Sequence, residues 1–220
     1  MSLPFRDRND AGQELATLLK EYANRSDVVV LGLPRGGVPV AHQVANALAA
    51  PLDIFLVRKL GAPGQEELAL GAIASGGTRV LNHRIIKELG IPEETVFEIA
   101  RQQNEELERR ERAFRGDRPS LNVTGKVVIL IDDGLATGST MRAAARALRQ
   151  LRPAKLVIAV PVGARTVCDS MRAEADEVVC VHVPDNFFAV GQWYRNFEQT
   201  TDDEVTDFLK MAPGQTQVRS

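Results

Sequence analysis

The sequence predicts an α/β fold built on a mainly parallel five-stranded sheet with helices on both faces. Short, wholly apolar runs recur along the chain, and amphipathic helical patterns lie between them. A half-exposed strand alternates polar and apolar residues, so continuous apolar runs indicate strands that are buried on both faces. Strands that alternate with helices favour a parallel sheet joined by helical crossovers.

Each element follows from its local pattern. The predicted strands are Val28–Leu31, Ile54–Val57, Val127–Ile131, Leu156–Val160 and Val178–Val181. The helices predicted around them are Ala11–Tyr22, Val38–Ala50, Thr140–Leu151 and Ala164–Ala175. Asp10 is the predicted cap of the first helix, because an aspartate side chain accepts hydrogen bonds from the first free backbone N–H groups.

An insertion separates the second predicted strand from the third. About seventy residues lie there, far more than a crossover needs. Arg58–Asn82 is predicted as a glycine-rich loop leading into a small ribbon, and Pro92–Phe114 as one long charged helix. The apolar positions of that helix favour a helix lying over the core, with a seam for a partner helix as the alternative. These positions are Val96, Ala100, Leu107 and Phe114.

We predict a single domain over residues 1–220. Its core covers about 10–60 and 120–183, the insertion about 60–118, and a small C-terminal segment, the hood, about 184–198. At this size the chain can bury a core without disulfides or structural metal.

Composition excludes several classes of protein. Lys plus Arg number 27 against 29 for Asp plus Glu, and the net charge of −2 gives no general attraction for nucleic acid or anionic membranes. The two cysteines, Cys168 and Cys180, form neither a disulfide framework nor a zinc motif. No apolar run approaches the ~20 residues of a membrane span, and the start lacks a secretory signal. We therefore expect a cytoplasmic protein without a membrane or nucleic-acid partner.

The most informative segment is Val127–Met141, where a buried strand leads through two acids and a small-residue turn into a helix. In open parallel sheets, ligands bind beyond the carboxyl ends of the strands. The turn Ala136–Thr140 offers backbone N–H groups, hydroxyls and a glycine at a helix start, which together favour a bound phosphate.

Asp132 and Asp133 need a separate reason beside an anion site, because two carboxylates repel phosphate. Hydroxyl groups or a divalent cation supply that reason, and a ribose 5-phosphate offers two hydroxyls a few ångströms behind its phosphate. The purely structural alternative, a helix cap and a turn, accounts for one acid but not both. The glycine-rich patterns of P-loop and dinucleotide-binding proteins do not occur here.

This segment, Asp132-Asp133-Gly-Leu-Ala-Thr-Gly-Ser-Thr, resembles the phosphoribosyl pyrophosphate (PRPP) signature of the type I phosphoribosyltransferases, in a bacterial-type branch. The resemblance extends over most of the chain. It implies that Asp132 and Asp133 bind the ribose hydroxyls and contact Mg²⁺ indirectly, through PRPP and water. It also implies that the 5-phosphate lies on Ala136, Thr137, Gly138, Ser139 and Thr140.

Two basic loops resemble further parts of the family site. Pro34, Arg35, Gly36 and Gly37 follow the first strand and resemble its pyrophosphate loop, although a plain strand-to-helix turn explains them equally well. Arg58 and Lys59, followed by glycines, resemble the catalytic loop of adenine-type members, and a solvated basic pair is the alternative. Arg58, Lys59, Asp132 and Asp133 are thus the implied catalytic residues.

Aromatic residues cluster in the hood, which resembles the base-binding hood of hypoxanthine-guanine enzymes. Phe187, Phe188 and Trp193 are the candidate base-binding residues, and a small satellite core is an equal alternative. Hypoxanthine-guanine members carry an aspartate where this chain has Ala136, so the general base is unassigned. Glu66 or Glu67 is a possible substitute, and the acceptor base stays open.

The resemblance implies a Mg²⁺-dependent transferase that joins the 5-phosphoribosyl group of PRPP to a nitrogenous base, with a purine favoured, and releases pyrophosphate. Nucleotide salvage by a cytoplasmic homodimer is the implied setting. A PRPP-sensing regulator on the same fold is the first alternative, and a phosphoribosyl hydrolase is the second.

Overall fold

A computed structural model describes residues 4–116, 118–120 and 122–213. Its strands are β1 Val28–Gly32, β2 Leu52–Ile54, β3 Val57–Ala62, β4 Gln65–Ala74, β5 Thr78–Leu81, β6 Val127–Ile131, β7 Lys155–Val162 and β8 Glu177–His182. Its helices are α1 Arg8–Leu18, α2 Gly37–Leu48, α3 His83–Glu88, α4 Glu93–Arg115, α5 Ser139–Gln150, α6 Arg165–Met171 and α7 Asp202–Met211.

The central sheet has five parallel strands in the order β2-β1-β6-β7-β8. Alternate residues of β1 enter different cores: Val28 and Val30 pack with α1 and α2, whereas Val29 and Leu31 pack with α5 and α6. Every residue of β1 and β6 is buried. The predicted five-stranded sheet with helices on both faces is therefore confirmed.

The insertion differs from the predicted loop and ribbon. β3, β4 and β5 form a separate three-stranded antiparallel sheet. The predicted strand Ile54–Val57 is wrong, since β2 ends at Ile54 and Val57 already begins the second sheet. Phe55 and Leu56 form a fully buried connection between the two sheets, and burial made its sequence look like a strand.

Arg58 and Lys59 consequently lie within β3, and the glycine-rich loop predicted there is wrong. Arg58 pairs in register with Ile73, and Lys59 with Ala72. The turn of this hairpin is confined to Pro63 and Gly64, and Gly64 has a φ of 72°. A strand at the edge of a sheet tolerates charged residues because one of its faces meets solvent.

The long predicted helix is confirmed as α4, which lies over the core. Its four apolar positions, Val96, Ala100, Leu107 and Phe114, are all buried in the main core cluster. At its end, the guanidinium of Arg115 donates to the Asp53 carboxylate at 2.7 Å and to the Ile54 carbonyl at 2.9 Å. This buried ion pair attaches the insertion to β2.

Four helices differ from the sequence prediction, and among them α3 was not predicted at all. The cap of α1 is Asp7, whose side chain accepts from the backbone N–H of Asp10, so the assignment of the cap to Asp10 is wrong. The helix predicted over Ala164–Ala175 ends early, as α6. Helix α7 was not predicted, although Thr201 and Glu204 form a capping box that the sequence already contained. No helix among the described residues is long and apolar enough to cross a membrane.

Candidate functional site

The candidate site lies where β1 and β6 end side by side. Gly32 is in register with Ile131, and the Leu33 backbone N–H donates to the Ile131 carbonyl at 2.8 Å. From this pair the sheet grows in opposite directions, through β2 on one side and β7 on the other. Such a reversal opens a crevice between the two following loops, and ligands of open α/β sheets bind in it.

The Pro34–Gly37 loop touches both acids in this crevice. A β-carbon at Gly36 would lie 2.7 Å from Cγ of Asp133 and still closer to its Oδ2. One at Gly37 would lie 2.9 Å from Cα of Asp132. The absence of a β-carbon at both positions lets the loop pack directly on the acids. The peptide bond between Pro34 and Arg35 is cis.

Asp132 is held at the end of β6 in an enclosed position. Its Oδ1 accepts a hydrogen bond from the backbone N–H of Asp133 at 2.9 Å. Burial raises the pKa of the Asp132 carboxyl well above its ordinary value, and the neighbouring Asp133 charge raises it further. A donor from a ligand, such as a hydroxyl, would offset part of the cost of keeping this group charged.

Asp133 has a cationic partner from the start of the chain. Both Nε and Nη2 of Arg8 lie 2.8 Å from its Oδ2. Burial raises the pKa of the Asp133 carboxyl, and Arg8 opposes that rise. Arg8 is itself placed by the Phe197 ring, whose centroid is 4.0 Å from its guanidinium carbon. Both contacts from Arg8 go to Oδ2 of Asp133.

The Ala136–Thr140 loop has the features of an anion site. Gly138 has a φ of 70° and precedes the first turn of α5, where backbone N–H groups are exposed and no acidic side chain lies. The hydroxyls of Thr137 and Ser139 are 3.2 Å apart at the surface. A small cavity of about 160 Å³ lies between this loop, Asp132 and Val190 of the hood. Its position at a helix N-terminus favours a bound anion.

A larger cavity of about 690 Å³ opens beside the same hydroxyls. It lies between the second sheet and α5, and Lys59, His83 and Arg142 are among the cationic or titratable side chains around it. Lys59 thus lines the same cavity as Thr137 and Ser139.

The other two predicted cations point elsewhere. Arg58, on the opposite face of β3 from Lys59, donates to the Gln103 side chain at 2.7 Å and lies 3.7 Å from Glu106. Arg35 lies 3.5 Å from Asp202 at the start of α7. Of the cations assigned to pyrophosphate, only Lys59 lines the larger cavity.

The hood packs mainly as a satellite core. Phe187, Val190 and Trp193 pack against the cluster that contains Phe5 and Tyr194. Phe188, in contrast, is 82% exposed. This packing favours the satellite-core alternative for Phe187 and Trp193, and it leaves Phe188 as the aromatic ring available for stacking.

The candidate general bases, Glu66 and Glu67, belong to β4. Their side chains lie outside the described part of the structure, so their role stays a prediction.

Comparison with known proteins decides the family. The model of the phosphoribosyl transferase domain matches residues 7–198 of this chain. This chain belongs to the type I phosphoribosyltransferase family. The matched range contains the Pro34–Gly37 loop, the Ala136–Thr140 loop, Asp132 and Asp133, and the hood.

Individual relatives agree with this membership. The chain is 49% identical over 208 residues to "Putative phosphoribosyl transferase Rv0571c" of Mycobacterium tuberculosis, which covers 94% of the chain and 47% of the relative. It is 33% identical over 131 residues to the bifunctional protein PyrR of Chloroflexus aurantiacus, over 57% of the chain and 65% of that protein. The chain thus spans about half the length of the mycobacterial relative.

The crystal structure of TT1426 from Thermus thermophilus has the same fold, with a TM-score of 0.84 and 41% identity. The match covers 96% of this chain and 100% of TT1426.

Two side chains of this phosphoribosyltransferase were missed by sequence reasoning. Arg8 lies 125 positions from Asp133 in the chain. The Tyr194 hydroxyl donates to the Asp133 carbonyl at 2.6 Å, across 61 positions. No motif spacing links residues so far apart, and an arginine at a helix start carries no distinguishing signal by itself.

Proposed function

We propose that this phosphoribosyltransferase domain transfers the 5-phosphoribosyl group of PRPP to a nitrogenous base, a purine, with release of pyrophosphate. The observation that carries the proposal is the packing of Gly36 and Gly37 on Asp133 and Asp132 at the end of β1 and β6. The crevice thereby combines the anion site, the carboxylates of Asp132 and Asp133, and the Pro34–Gly37 loop, which leads into α2. Nucleotide salvage in the cytoplasm by a homodimer belongs to the same proposal.

The ribose binds between the anion site and the acids. Its 5-phosphate accepts hydrogen bonds from the N-terminal N–H groups of α5 and from the Thr137 and Ser139 hydroxyls. The 2- and 3-hydroxyls donate to Asp132 and to Oδ1 of Asp133. Arg8 keeps Asp133 charged and oriented. Two charged acceptors near the anomeric carbon favour the positive charge that develops as pyrophosphate departs.

The donor set fits Mg²⁺ that is carried mainly by the substrate. Among the described residues, no group of three or more His, Cys, Asp or Glu side chains could hold a metal ion. Asp132 and Asp133 would therefore contact Mg²⁺ through water, with the pyrophosphate oxygens as its direct ligands. When bound, Mg²⁺ neutralises charge on the pyrophosphate.

Pyrophosphate is stabilised by Lys59 and Arg35 in this proposal. Lys59 already lines the cavity that Thr137, Ser139 and Thr140 also line, whereas Arg35 must exchange its surface contact with Asp202 for the substrate. Surface ion pairs of this kind are weak, at about 0.5 kcal/mol, so a pyrophosphate can displace Asp202. Arg58 would have to leave Gln103 and Glu106 before it could contribute.

The assignment of a purine rests on the hood. A flat heterocycle stacks on an exposed aromatic ring, and the ring of Phe188 is exposed. Phe188 precedes Val190, which lines the small cavity beside Asp132. The PyrR relative is named a bifunctional protein, and a PRPP-binding regulator stays the alternative for this chain. Arg101 and Arg109 of α4 are both paired with glutamates, so this helix does not favour a nucleic-acid partner.

The test measures pyrophosphate release from PRPP with Mg²⁺ across a panel of purine and pyrimidine bases, with a control lacking base. We expect release with a purine and its loss in the Asp132→Asn/Asp133→Asn variant. Asp207→Asn, an exposed acid on α7, is the matched control and should keep wild-type release.

Three results would overturn the proposal in different ways. Release without any base supports the hydrolase alternative. PRPP that binds in calorimetry without release of pyrophosphate supports the regulator alternative. A chain that does not bind PRPP contradicts the assignment of the Ala136–Thr140 loop to the 5-phosphate.

A further inference from the structure

The two cysteines of the chain lie against each other. Cys168 belongs to α6 and Cys180 to β8, and their sulfur atoms are 3.0 Å apart. Both are free thiols in this structure. They are the chain's entire cysteine content, and neither is among the residues to which the proposed transfer assigns a role.

Their positions suit a bond between them. A disulfide has a sulfur–sulfur length of about 2.05 Å, so the sulfurs need to approach by about 1 Å. They lie 12 positions apart on two elements that already pack together, so bond formation needs no rearrangement of the fold. The Cys168 sulfur also packs closely on Gly163, since a β-carbon added at Gly163 would lie 2.5 Å from that sulfur.

The two thiols differ in acidity and access. The Cys180 thiol donates to the Cys168 sulfur, and this hydrogen bond lowers the pKa of Cys168. The same contact, together with burial, raises the pKa of Cys180. Cys168 is 4% exposed, whereas Cys180 is only half-buried. A small reagent can thus reach the pair from the Cys180 side, and Cys168 is the more acidic of the two thiols.

We propose that Cys168 and Cys180 are a redox-active pair that forms a reversible intramolecular disulfide by exchange with a low-molecular-weight disulfide. In the first step, one cysteine thiolate attacks the small disulfide, forms a mixed disulfide and releases one small thiolate. In the second step, the other cysteine loses its proton to solvent and attacks the cysteine sulfur of the mixed disulfide, releasing the second small thiolate. The small disulfide is reduced to two thiols, and the protein pair is oxidised.

The bond would fix one wall of the anion site. A β-carbon at Gly138 would lie 2.7 Å from the Val167 side chain and 2.5 Å from that of Met171. Both residues belong to α6, next to Cys168. Oxidation therefore joins the helix that supports the Ala136–Thr140 loop to β8. This structural consequence does not depend on which reaction the domain catalyses.

The experiment equilibrates the full chain in buffers with a rising ratio of oxidised to reduced glutathione, and then alkylates the remaining thiols. Mass spectrometry should show a chain lighter by two hydrogen atoms, without alkylation, that dithiothreitol returns to a doubly alkylated form. Closing so short a loop should also raise Tm by about 5 °C. Hydrogen exchange of the α6 amides should be slower in the oxidised chain.

Single variants separate this pair from two independent thiols. Cys168→Ala should retain one glutathione on Cys180, because no second sulfur is present to displace it, and neither Cys168→Ala nor Cys180→Ala should form the intramolecular disulfide. Wild-type chains that accumulate glutathione adducts under the same conditions would overturn the proposal. So would two thiols that stay fully alkylatable at every ratio, or a disulfide found between chains instead of within one.

Discussion

Replacing Gly36 by alanine should disturb the acids of the site without straining the backbone. Gly36 has a φ of −62° and a ψ of −31°, which alanine adopts freely. Its new β-carbon would come within 3.0 Å of Oδ2 of Asp133, the atom that accepts both contacts from Arg8. The carboxylate can move aside, but this movement breaks its ion pair with Arg8.

The magnitude follows from two opposing contributions. Loss of a charge-assisted hydrogen-bonded pair costs about 2 kcal/mol. Alanine in place of glycine at a compatible position stabilises the fold by about 0.7 kcal/mol, because it restricts the unfolded chain. The net loss is about 1.3 kcal/mol, and at roughly 3 °C per kcal/mol for a chain of this size Tm falls by about 4 °C.

The assay is a double-mutant cycle followed by thermal unfolding. It compares wild type, Gly36→Ala, Arg8→Ala and the double variant. Without Arg8, the Asp133 carboxylate moves at no cost in ion pairing. The alanine at position 36 should then raise Tm by about 2 °C, so the sign of its effect reverses.

Equal losses in both backgrounds would refute this reasoning. Additivity would mean that the cost of the β-carbon comes from displaced backbone and not from the Arg8–Asp133 pair.

Three further predictions concern the same crevice. Because the pKa of Asp132 is raised in the fold, the contribution of Asp132 to stability falls as pH rises above about 4, and Asp132→Asn should raise Tm relative to wild type at neutral pH but not at pH 3; a difference between the two proteins that is independent of pH in thermal unfolding contradicts this. Tyr194→Phe loses the 2.6 Å hydrogen bond to the Asp133 carbonyl and should cost about 1 kcal/mol in denaturant unfolding, whereas an unchanged midpoint would show that water replaces the hydroxyl. Gly138→Ala must adopt a φ of 70° against Met171 and should weaken PRPP binding in calorimetry at least tenfold, which wild-type affinity would contradict.

Local patterns were sufficient for the central sheet. The apolar runs at Val28 and Val127 are strands because each residue has to bury both faces, and that requirement is visible in the composition of the run. The same rule misplaced Ile54–Val57. A buried connection has the composition of a buried strand, and only pairing partners distinguish the two.

The candidate site was predictable to the extent that its residues follow a strand directly. Asp132, Asp133 and the Ala136–Thr140 loop are positioned by the end of β6, so their proximity follows from chain order alone. Lys59 was expected near them on resemblance, and the second sheet places it around the same cavity as Thr137. Arg58, its neighbour in sequence, faces α4 instead, since adjacent residues of a strand point to opposite sides.

The parallel sheet, the Ala136–Thr140 loop and the two acids after β6 could be predicted from sequence, because each is encoded by residues that are close in the chain. Only the folded chain shows that Gly36 packs on Asp133, that Arg8 forms an ion pair with Asp133, and that Cys168 meets Cys180. The order of the strands and the packing of helices on them create those contacts. Local propensity does not encode the order of the strands in a sheet, so contacts between elements that are distant in the chain form only when the chain has folded.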